Sequence, residues 1–206
     1  MKNFKVRKIL FFGVIATVIM VSSLLIYTNL KSLAFSDGSL DSSFVSGSGV
    51  NNFVYSAILQ PDEKIVVVGF FTTYNGVAKN YIVRLNPDGT IDNTFNLGGS
   101  GPNNFVYSVN IQPDGKIIIG GDFTTYNGTP ITRIARLNPN GTLDTSFNPG
   151  SGVSDDVYAI GIQTDGKIVI GGWFQFYNGV LKNRITRLNS DGTIDSSFNS
   201  GSGATG

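Results

Sequence analysis

Apolar positions beyond residue 34 fall into short runs, and the same succession of runs occurs three times. Each copy contains an apolar stretch, a tight turn and then a continuous β-branched run, at residues 65–68, 117–119 and 168–170. Unbroken runs of this kind are typical of strands that are covered on both faces. A tyrosine marks each copy: Tyr107 follows Tyr55 by 52 residues, and Tyr158 follows Tyr107 by 51. A self-similar period of this size predicts a propeller or a solenoid.

The second copy contains four strand-like segments, at residues 105–112, 116–123, 132–138 and 142–147. The intervening Pro-Asp-Gly and Pro-Asn-Gly triplets predict tight hairpin turns, because proline fixes φ, Asp or Asn bonds the local backbone, and glycine accepts positive φ. Paired glycines after the second segment predict a bulge or a close approach of two backbones. No helical periodicity occurs after residue 34. The pattern predicts an all-β fold of β-propeller-type blades, with four antiparallel strands in each.

The repeat array is predicted to span residues 35–206, with units near 37–88, 89–140 and 141–191 and an extra strand at 192–198. Closed propellers have about four to eight blades, so three units do not complete a ring. Three alternatives stay open: a homodimer closes a six-bladed ring, the arc stays open, or the chain is a fragment of a longer repeat protein. An open arc would expose an apolar blade face.

The segment 1–34 differs from the rest of the chain. Basic residues crowd its start, and an uncharged, mostly apolar stretch at 9–27 is long enough to cross a membrane as one hydrophobic helix. The segment is either a signal peptide, with Ser32 and Ala34 before the cleavage point, or a retained signal anchor. The basic flank stays in the cytoplasm in both cases. We therefore predict export to the cell surface, the extracellular space or the periplasm, with membrane contact only through residues 9–27.

Two strings in the second copy carry a family resemblance: VYSVNIQPDGKI at 106–117 and RLNPNGTLDTSFN at 136–148. They resemble the delta-60 repeat, a bacterial β-propeller repeat, and the resemblance covers about residues 36–206. It implies a propeller on an exported or surface protein. It implies no catalytic residues.

Composition excludes several kinds of chemistry. The chain has no histidine and no cysteine, which rules out a Ser-His-Asp triad, a Cys-His pair and all His or Cys metal sites. Residues 35–206 carry 10 Lys and Arg against 14 Asp and Glu, a net charge of −4. Because nucleic-acid binding needs a clustered basic face, we predict no nucleic-acid partner.

Carboxylates remain as candidate catalysts, and a glycosidase-like, carboxylate-dependent hydrolase with a site in the central channel is the alternative function. Neighbouring acids such as Asp155 and Asp156 point to opposite faces of a strand, so we predict no enzymatic activity and no catalytic residues. The loop 86–92 places oxygens at alternate positions, as calcium loops do, but it lacks a bidentate Glu. We predict no metal site and no cofactor, with structural calcium in this loop as the alternative.

One set of arginines precedes the hairpin turns, and each can pair with an aspartate eight residues later: Arg84 with Asp92, Arg136 with Asp144 and Arg187 with Asp195. We predict that these pairs are structural bridges within each blade, rather than ligand clamps.

Positions that differ between otherwise similar copies are candidates for binding. The slot after the glycines holds Phe70, Asp122 and Trp173, and a second variable slot holds Phe53, Phe105 and Asp156. An aromatic side chain such as Trp173 on the rim of a propeller stacks on a sugar or anchors a peptide. The alternative is that Trp173 packs between blades. We therefore predict a non-enzymatic structural or binding module whose loops meet an unidentified protein or glycan partner.

Overall fold

The computed structural model describes residues 41–204, and residues 43–204 belong to one compact body. The predicted signal peptide or anchor at 1–34, with its hydrophobic stretch at 9–27, lies outside the described residues. Within 41–204, no helix is long and apolar enough to cross a membrane.

Fifteen β-strands occur in the described residues, five in each of three repeat units. Each structural unit runs from its first strand to the phenylalanine after its last hairpin, at about 53–95, 105–147 and 156–198, so it begins later than the unit predicted from the sequence. Unit 1 contains β1 (Phe53–Leu59), β2 (Ile65–Phe70), β3 (Thr73–Tyr74), β4 (Val77–Ala78) and β5 (Ile82–Leu85). Unit 2 contains β6 (Val106–Ile111), β7 (Ile117–Gly121), β8 (Thr125–Tyr126), β9 (Thr129–Pro130) and β10 (Ile134–Leu137). Unit 3 contains β11 (Val157–Ile162), β12 (Ile168–Gly172), β13 (Phe176–Tyr177), β14 (Val180–Leu181) and β15 (Ile185–Leu188).

Every unit has the same antiparallel architecture. Its first, second and fifth strands form a three-stranded sheet with the β-branched strand in the middle, and its third and fourth strands form a two-residue ribbon. The middle strand β7 is buried along its whole length, as its unbroken apolar run predicts. The prediction of an all-β fold built from repeated antiparallel sheets is confirmed.

The fourth predicted strand of each unit is much shorter than expected. In unit 2, residues 142–147 contribute a single bridge, between Leu137 and Leu143. The chain then turns away, because Asp144 Oδ1 accepts hydrogen bonds from the backbone N and from Oγ of Ser146, at 3.0 and 2.7 Å. This local capping removes the aspartate from a strand conformation. The predicted turn at 124–128 contains β8, the first strand of a two-stranded ribbon that the sequence pattern does not reveal.

A glycine near the end of each middle strand lies against the first strand. A Cβ added to Gly121 would collide with the carbonyl oxygen of Phe105, and Gly69 and Gly172 have the same relation to Phe53 and Asp156. The strand register shifts at this point, between Val106 and Ser108 in unit 2. The predicted close approach and bulge are both confirmed.

The hydrophobic core lies mainly between units rather than inside them. One cluster joins Val66, Val68 and Ile82 of unit 1 to Val106 and Val109 of unit 2. A second cluster joins unit 2 to unit 3 in the same way, through residues such as Ile134 and Ile160. A unit buries its apolar sheet face only when a neighbouring unit covers it, as in other repeat proteins. We call the two contact regions junction 1/2 and junction 2/3.

Candidate functional site

Each unit contains the predicted arginine–aspartate bridge. The arginine Nε donates to the aspartate Oδ2 at 2.8, 2.7 and 2.7 Å in units 1, 2 and 3, in the pairs Arg84–Asp92, Arg136–Asp144 and Arg187–Asp195. A lysine adds a second cation in each unit, as Lys116 does at 2.9 Å from Asp144 Oδ2. Burial acts to raise the pKa of Asp144, but hydrogen bonds from Lys116, Ser146 and Arg136 outweigh it and hold that pKa well below its usual range. These carboxylates are committed to structural contacts.

The same arginines reach across the junctions. Arg84 Nη1 donates to the carbonyl oxygen of Pro139 in unit 2, and Arg136 Nη1 donates to that of Ser190 in unit 3. In all three units the arginine Nη1 also donates to a glutamine Oε1 of its own unit, at 3.3, 3.4 and 3.4 Å, in the pairs Arg84–Gln60, Arg136–Gln112 and Arg187–Gln163. Within residues 41–204, no following unit offers a carbonyl to Arg187. The bridge therefore stabilises both its own hairpin and the contact with the next unit.

The loop 86–92 directs its oxygens to hydrogen-bond donors. Asp88 Oδ1 accepts from the backbone N and from Oγ1 of Thr90, at 2.9 and 2.6 Å. Asp92 faces two cations, Lys64 and Arg84. Hydrogen bonds to Asp88 favour its charged form and lower its pKa. Across residues 41–204, no group of three or more Asp or Glu side chains is gathered so that it could hold a metal ion.

The two variable slots of the repeat lie side by side in every unit. Phe70 pairs with Phe53 across β2 and β1. In the other units the backbone N of Asp122 donates to the carbonyl oxygen of Phe105, and that of Trp173 donates to the carbonyl oxygen of Asp156, both at 2.9 Å. One end of each sheet therefore carries both variable slots.

Junction 1/2 is aromatic at this end. The rings of Phe70 and Phe105 lie 4.1 Å apart between centroids, and Tyr81 contacts Phe105 edge-on at 5.8 Å. Phe70, a predicted binding residue, thus packs against the next unit.

Junction 2/3 is charged at the same place. Arg133 Nε lies 3.6 Å from Asp122 Oδ1 and 3.9 Å from Asp156 Oδ1, so one guanidinium faces two carboxylates from different units. The other oxygens are also engaged: Asn104 Nδ2 donates to Asp122 Oδ2 at 2.8 Å, and the Tyr158 hydroxyl donates to Asp156 Oδ2 at 3.1 Å. Burial raises the pKa of Asp156, the Asp122 carboxylate raises it further, and the Tyr158 hydroxyl opposes both.

Trp173 occupies the same slot in unit 3 and is 59% exposed. The guanidinium carbon of Arg184 lies 4.9 Å from the centroid of the Trp173 ring, a cation–π geometry. The two side chains line an open cavity of about 460 Å³, together with Ser154, Asp155, Gln175 and Phe176. The structure therefore separates the three predicted binding residues: Phe70 and Asp122 lie in junctions, and Trp173 lies on an exposed face. A binding role for any of them stays a prediction.

Sequence reasoning missed a third variable slot, which holds Tyr81, Arg133 and Arg184. Each residue lies directly before the last strand of its sheet and adopts positive φ, at 61°, 63° and 67°. This conformation is uncommon for such side chains and aims all three at the variable end of the sheet. Alignment of the three copies at this position would have shown the change from Tyr to Arg.

The repeat tyrosines form a row along the contact between β1, β6 and β11. Tyr107 lies between Tyr55 and Tyr158, with ring centroids 5.3 and 5.1 Å apart. Burial, together with the carboxylates of Asp156 and Asp122, raises the pKa of Tyr107 to about 12.

The solved structures that resemble this chain include the crystal structure of a protein of unknown function from Bacteroides caccae, with a TM-score of 0.42 and 16% sequence identity. The match covers 67% of this chain and 46% of that protein, so the chain spans less than half the length of this relative. No curated protein matches the chain.

A family model described as a domain of unknown function (DUF5122) beta-propeller matches residues 60–95, 112–147 and 163–198. Each match runs from the end of a first strand, through the middle strand and ribbon, to the phenylalanine after the Arg–Asp bridge. The three matches lie at equivalent places in the three units and together cover more than half of the chain. The chain therefore belongs to the DUF5122 β-propeller family.

Proposed function

We propose that the chain is an exported, non-enzymatic binding module, in which the exposed face of unit 3 contacts a protein partner. Export is supported by the hydrophobic stretch at 9–27 and by the resemblance to delta-60 repeats. Nucleic acid is not a proposed partner, and the proposed contact needs no cofactor.

The observation that carries the proposal is the composition of the unit 3 face. It consists of residues whose counterparts in units 1 and 2 contact the next unit. Gly171 corresponds to Gly120, and Trp173 corresponds to Asp122; both counterparts face unit 3. A surface built from junction residues is suited to a protein surface, which offers both apolar side chains and backbone carbonyls. A glycan, stacked on Trp173, is the alternative ligand.

Single-cysteine labelling on intact cells tests export and occupancy together, because the chain has no cysteine of its own. Gly171→Cys places a thiol on the unit 3 face, and Thr129→Cys places one on an exposed ribbon of unit 2. A membrane-impermeant maleimide should label Thr129→Cys at once and Gly171→Cys slowly, while denatured protein should be labelled equally at both sites. Failure to label Thr129→Cys on intact cells would overturn export. Equal, rapid labelling of both variants would refute the proposal that a protein partner covers the unit 3 face.

A carboxylate-dependent hydrolase remains the second candidate, because Asp122 and Asp156 do approach each other at junction 2/3. Their Oδ2 oxygens accept hydrogen bonds from Asn104 and Tyr158, and their Oδ1 oxygens face the Arg133 guanidinium at 3.6 and 3.9 Å, which suits a structural clamp better than proton transfer. Aryl glycosides of common sugars provide the test. The hydrolase would be established if the wild-type protein turned over such a substrate and Asp156→Asn remained folded but lost that turnover. This result would refute the binding module as the main function.

A further inference from the structure

We propose that the protein partner is a second copy of this chain, which places its unit 1 against unit 3 in a head-to-tail contact, so that two copies close a six-unit ring. This inference rests on the proposed function and deepens it. Junctions 1/2 and 2/3 show how the face of one unit packs on the next. Within residues 41–204, one such face of unit 1 and one of unit 3 are not covered by another unit, and the same contacts can form between them.

Unit 1 presents an uncovered junction face. Val106 and Val157, at the same position of the repeat, are completely buried in junctions 1/2 and 2/3, whereas Val54 is 48% exposed. Phe53 and Leu59, in the same strand, are exposed as well. A face with this many exposed apolar side chains favours association.

Unit 3 presents the complementary space. A Cβ added to Gly120 would lie 2.6 Å from Cγ1 of Val157 and 3.0 Å from Cδ1 of Ile160, so these side chains of unit 3 fill the space above that glycine. At Gly171, the nearest atoms to an added Cβ are the carbonyl oxygen of Arg184, at 3.7 Å, and the Cβ of Ala159, at 4.0 Å. The space above Gly171 can therefore receive Val54 of a second copy, as that above Gly120 receives Val157.

The variable slots on the two faces also match. Within the chain, the slot after the glycines meets the first strand of the next unit: Phe70 meets Phe105, and Asp122 meets Asp156 across Arg133. At each junction the two slots hold side chains of the same type: two aromatic rings at junction 1/2, and two carboxylates around an arginine at junction 2/3. The same relation brings Trp173 onto Phe53 of the second copy, which is another aromatic pair.

The backbone contact can be repeated as well. Arg84 and Arg136 donate from Nη1 to Pro139 and Ser190, which occupy the same turn position in the next unit. The corresponding carbonyl in unit 1 belongs to Pro87, an exposed residue. In the head-to-tail contact, Arg187 Nη1 would donate to Pro87 of the second copy.

One part of the unit 1 face is already occupied by its own chain. Asn96 N and Asn148 N donate to the turn carbonyls of Asn140 and Asp191 across the junctions, both at 2.7 Å, but the turn carbonyl of Asp88 accepts from Val45 N, at 2.8 Å. In the head-to-tail contact, Asn199 takes the place of Val45, so the segment 43–46 must leave. The contact between copies is therefore weaker than the junctions inside a chain, and it strengthens when Val45 is released.

The proposed ring is built from the three units of residues 41–204. Two copies of these units supply six, which lies within the range of about four to eight blades found in closed propellers, whereas three copies supply nine. A head-to-tail contact that does not close would instead produce an open chain of copies.

Cysteine cross-linking of the full chain in membranes tests the contact. The double variant Gly171→Cys, Val54→Cys places one thiol on each face. After oxidation to a disulfide, or treatment with a short bis-maleimide that alkylates both thiols, we expect a covalent dimer as the main species on a denaturing gel. Two tagged single variants, Gly171→Cys and Val54→Cys, should cross-link with each other and not with themselves.

The in-chain pair Gly120→Cys, Val157→Cys is the positive control, since these two Cβ positions lie 3.1 Å apart. Adding Val45→Pro, which removes the N–H donor to Asp88, should raise the dimer fraction.

Each outcome decides the question. A ladder of higher multimers would overturn the ring, and cross-linking of either single variant with itself would overturn the head-to-tail orientation. If the control pair forms its cross-link within the chain but no cross-link forms between copies, the proposal that the partner is a second copy is wrong. In that case, slow labelling of Gly171→Cys on cells would still support a different protein partner, and rapid labelling would refute the binding module too.

Discussion

Arg136 donates from Nε to Asp144 Oδ2 over 2.7 Å, and both side chains are more than nine-tenths buried. Nη1 of the same guanidinium donates to the Ser190 carbonyl of the next unit. One buried ion pair therefore fixes the hairpin of unit 2 and attaches unit 2 to unit 3. Removing one partner of such a pair leaves a buried charge without compensation, which is far more costly than losing an exposed ion pair.

Asp144→Asn should destabilise the fold strongly. The substitution keeps the side-chain shape but leaves Arg136 and Lys116 facing a neutral amide. We expect a loss of about 3 kcal/mol in the free energy of unfolding, measured by urea denaturation with the fluorescence of Trp173, the single tryptophan, as the signal. Asp114→Asn is the matched control, because Asp114 is exposed in the same unit, and it should change stability by less than about 0.5 kcal/mol. Equal losses in the two variants would contradict a special role for the bridge.

Acid should unfold the protein through the bridge aspartates. Burial acts to raise the pKa of Asp92, but Lys64, Thr94 and Arg84 together hold it well below its usual range, as their counterparts do for Asp144. A carboxyl whose folded-state pKa is depressed contributes stability above its unfolded pKa, and the contribution is lost as the pH falls further. The thermal midpoint should therefore fall steeply below about pH 4. Asp144→Asn should show a shallower decline, and an identical pH profile would contradict the assignment.

Arg133→Met should destabilise junction 2/3 with the opposite dependence on pH. Because the folded-state pKa of Asp156 is raised, its protonated form is favoured, and the stability this gives is lost as the pH rises through that pKa. Without Arg133, two carboxylates face each other at neutral pH. We expect a loss of about 1–2 kcal/mol at pH 7 and a smaller one at pH 4, by urea denaturation. Adding Asp156→Asn should recover most of the loss, and no recovery would argue against charge repulsion as the cause.

Gly121→Ala should disrupt the close approach of β6 and β7. Its Cβ would collide with the carbonyl oxygen of Phe105 and would lie 2.9 Å from Val106 Cα, and backbone atoms cannot give way as a flexible side chain can. We expect a loss of about 2 kcal/mol, from thermal denaturation by circular dichroism. Gly161→Ala, in β11, is the matched control, because nothing lies within 4 Å of its added Cβ. That variant should be neutral or slightly stabilising, and comparable losses in both would show that glycine is needed for another reason.

Much of the fold was predictable because its causes are local. Pro, Asp and Gly determine the hairpin turns through their own backbone preferences, and the unbroken apolar run of 117–119 indicates a strand covered on both sides. The Arg136–Asp144 bridge was predictable for the same reason, since its two residues flank one hairpin and lie eight positions apart. The ribbon and the short fourth segment were not, because two-residue pairings and the turn at Asp144 depend on individual hydrogen bonds rather than on a periodic pattern.

Repetition of one β-unit three times within residues 35–206 is evident from the order of the residues, as is the Arg–Asp spacing that recurs in each copy. The tertiary structure alone decided which variable residues meet. Phe70 lies on Phe105, and Asp122 faces Asp156 across Arg133, because the end of one middle strand packs against the first strand of the next unit. It also decided that Trp173 and Val54 stay exposed, one at each uncovered face. The physical reason is that these contacts depend on how whole sheets stack, and stacking brings together residues that no turn or strand preference connects.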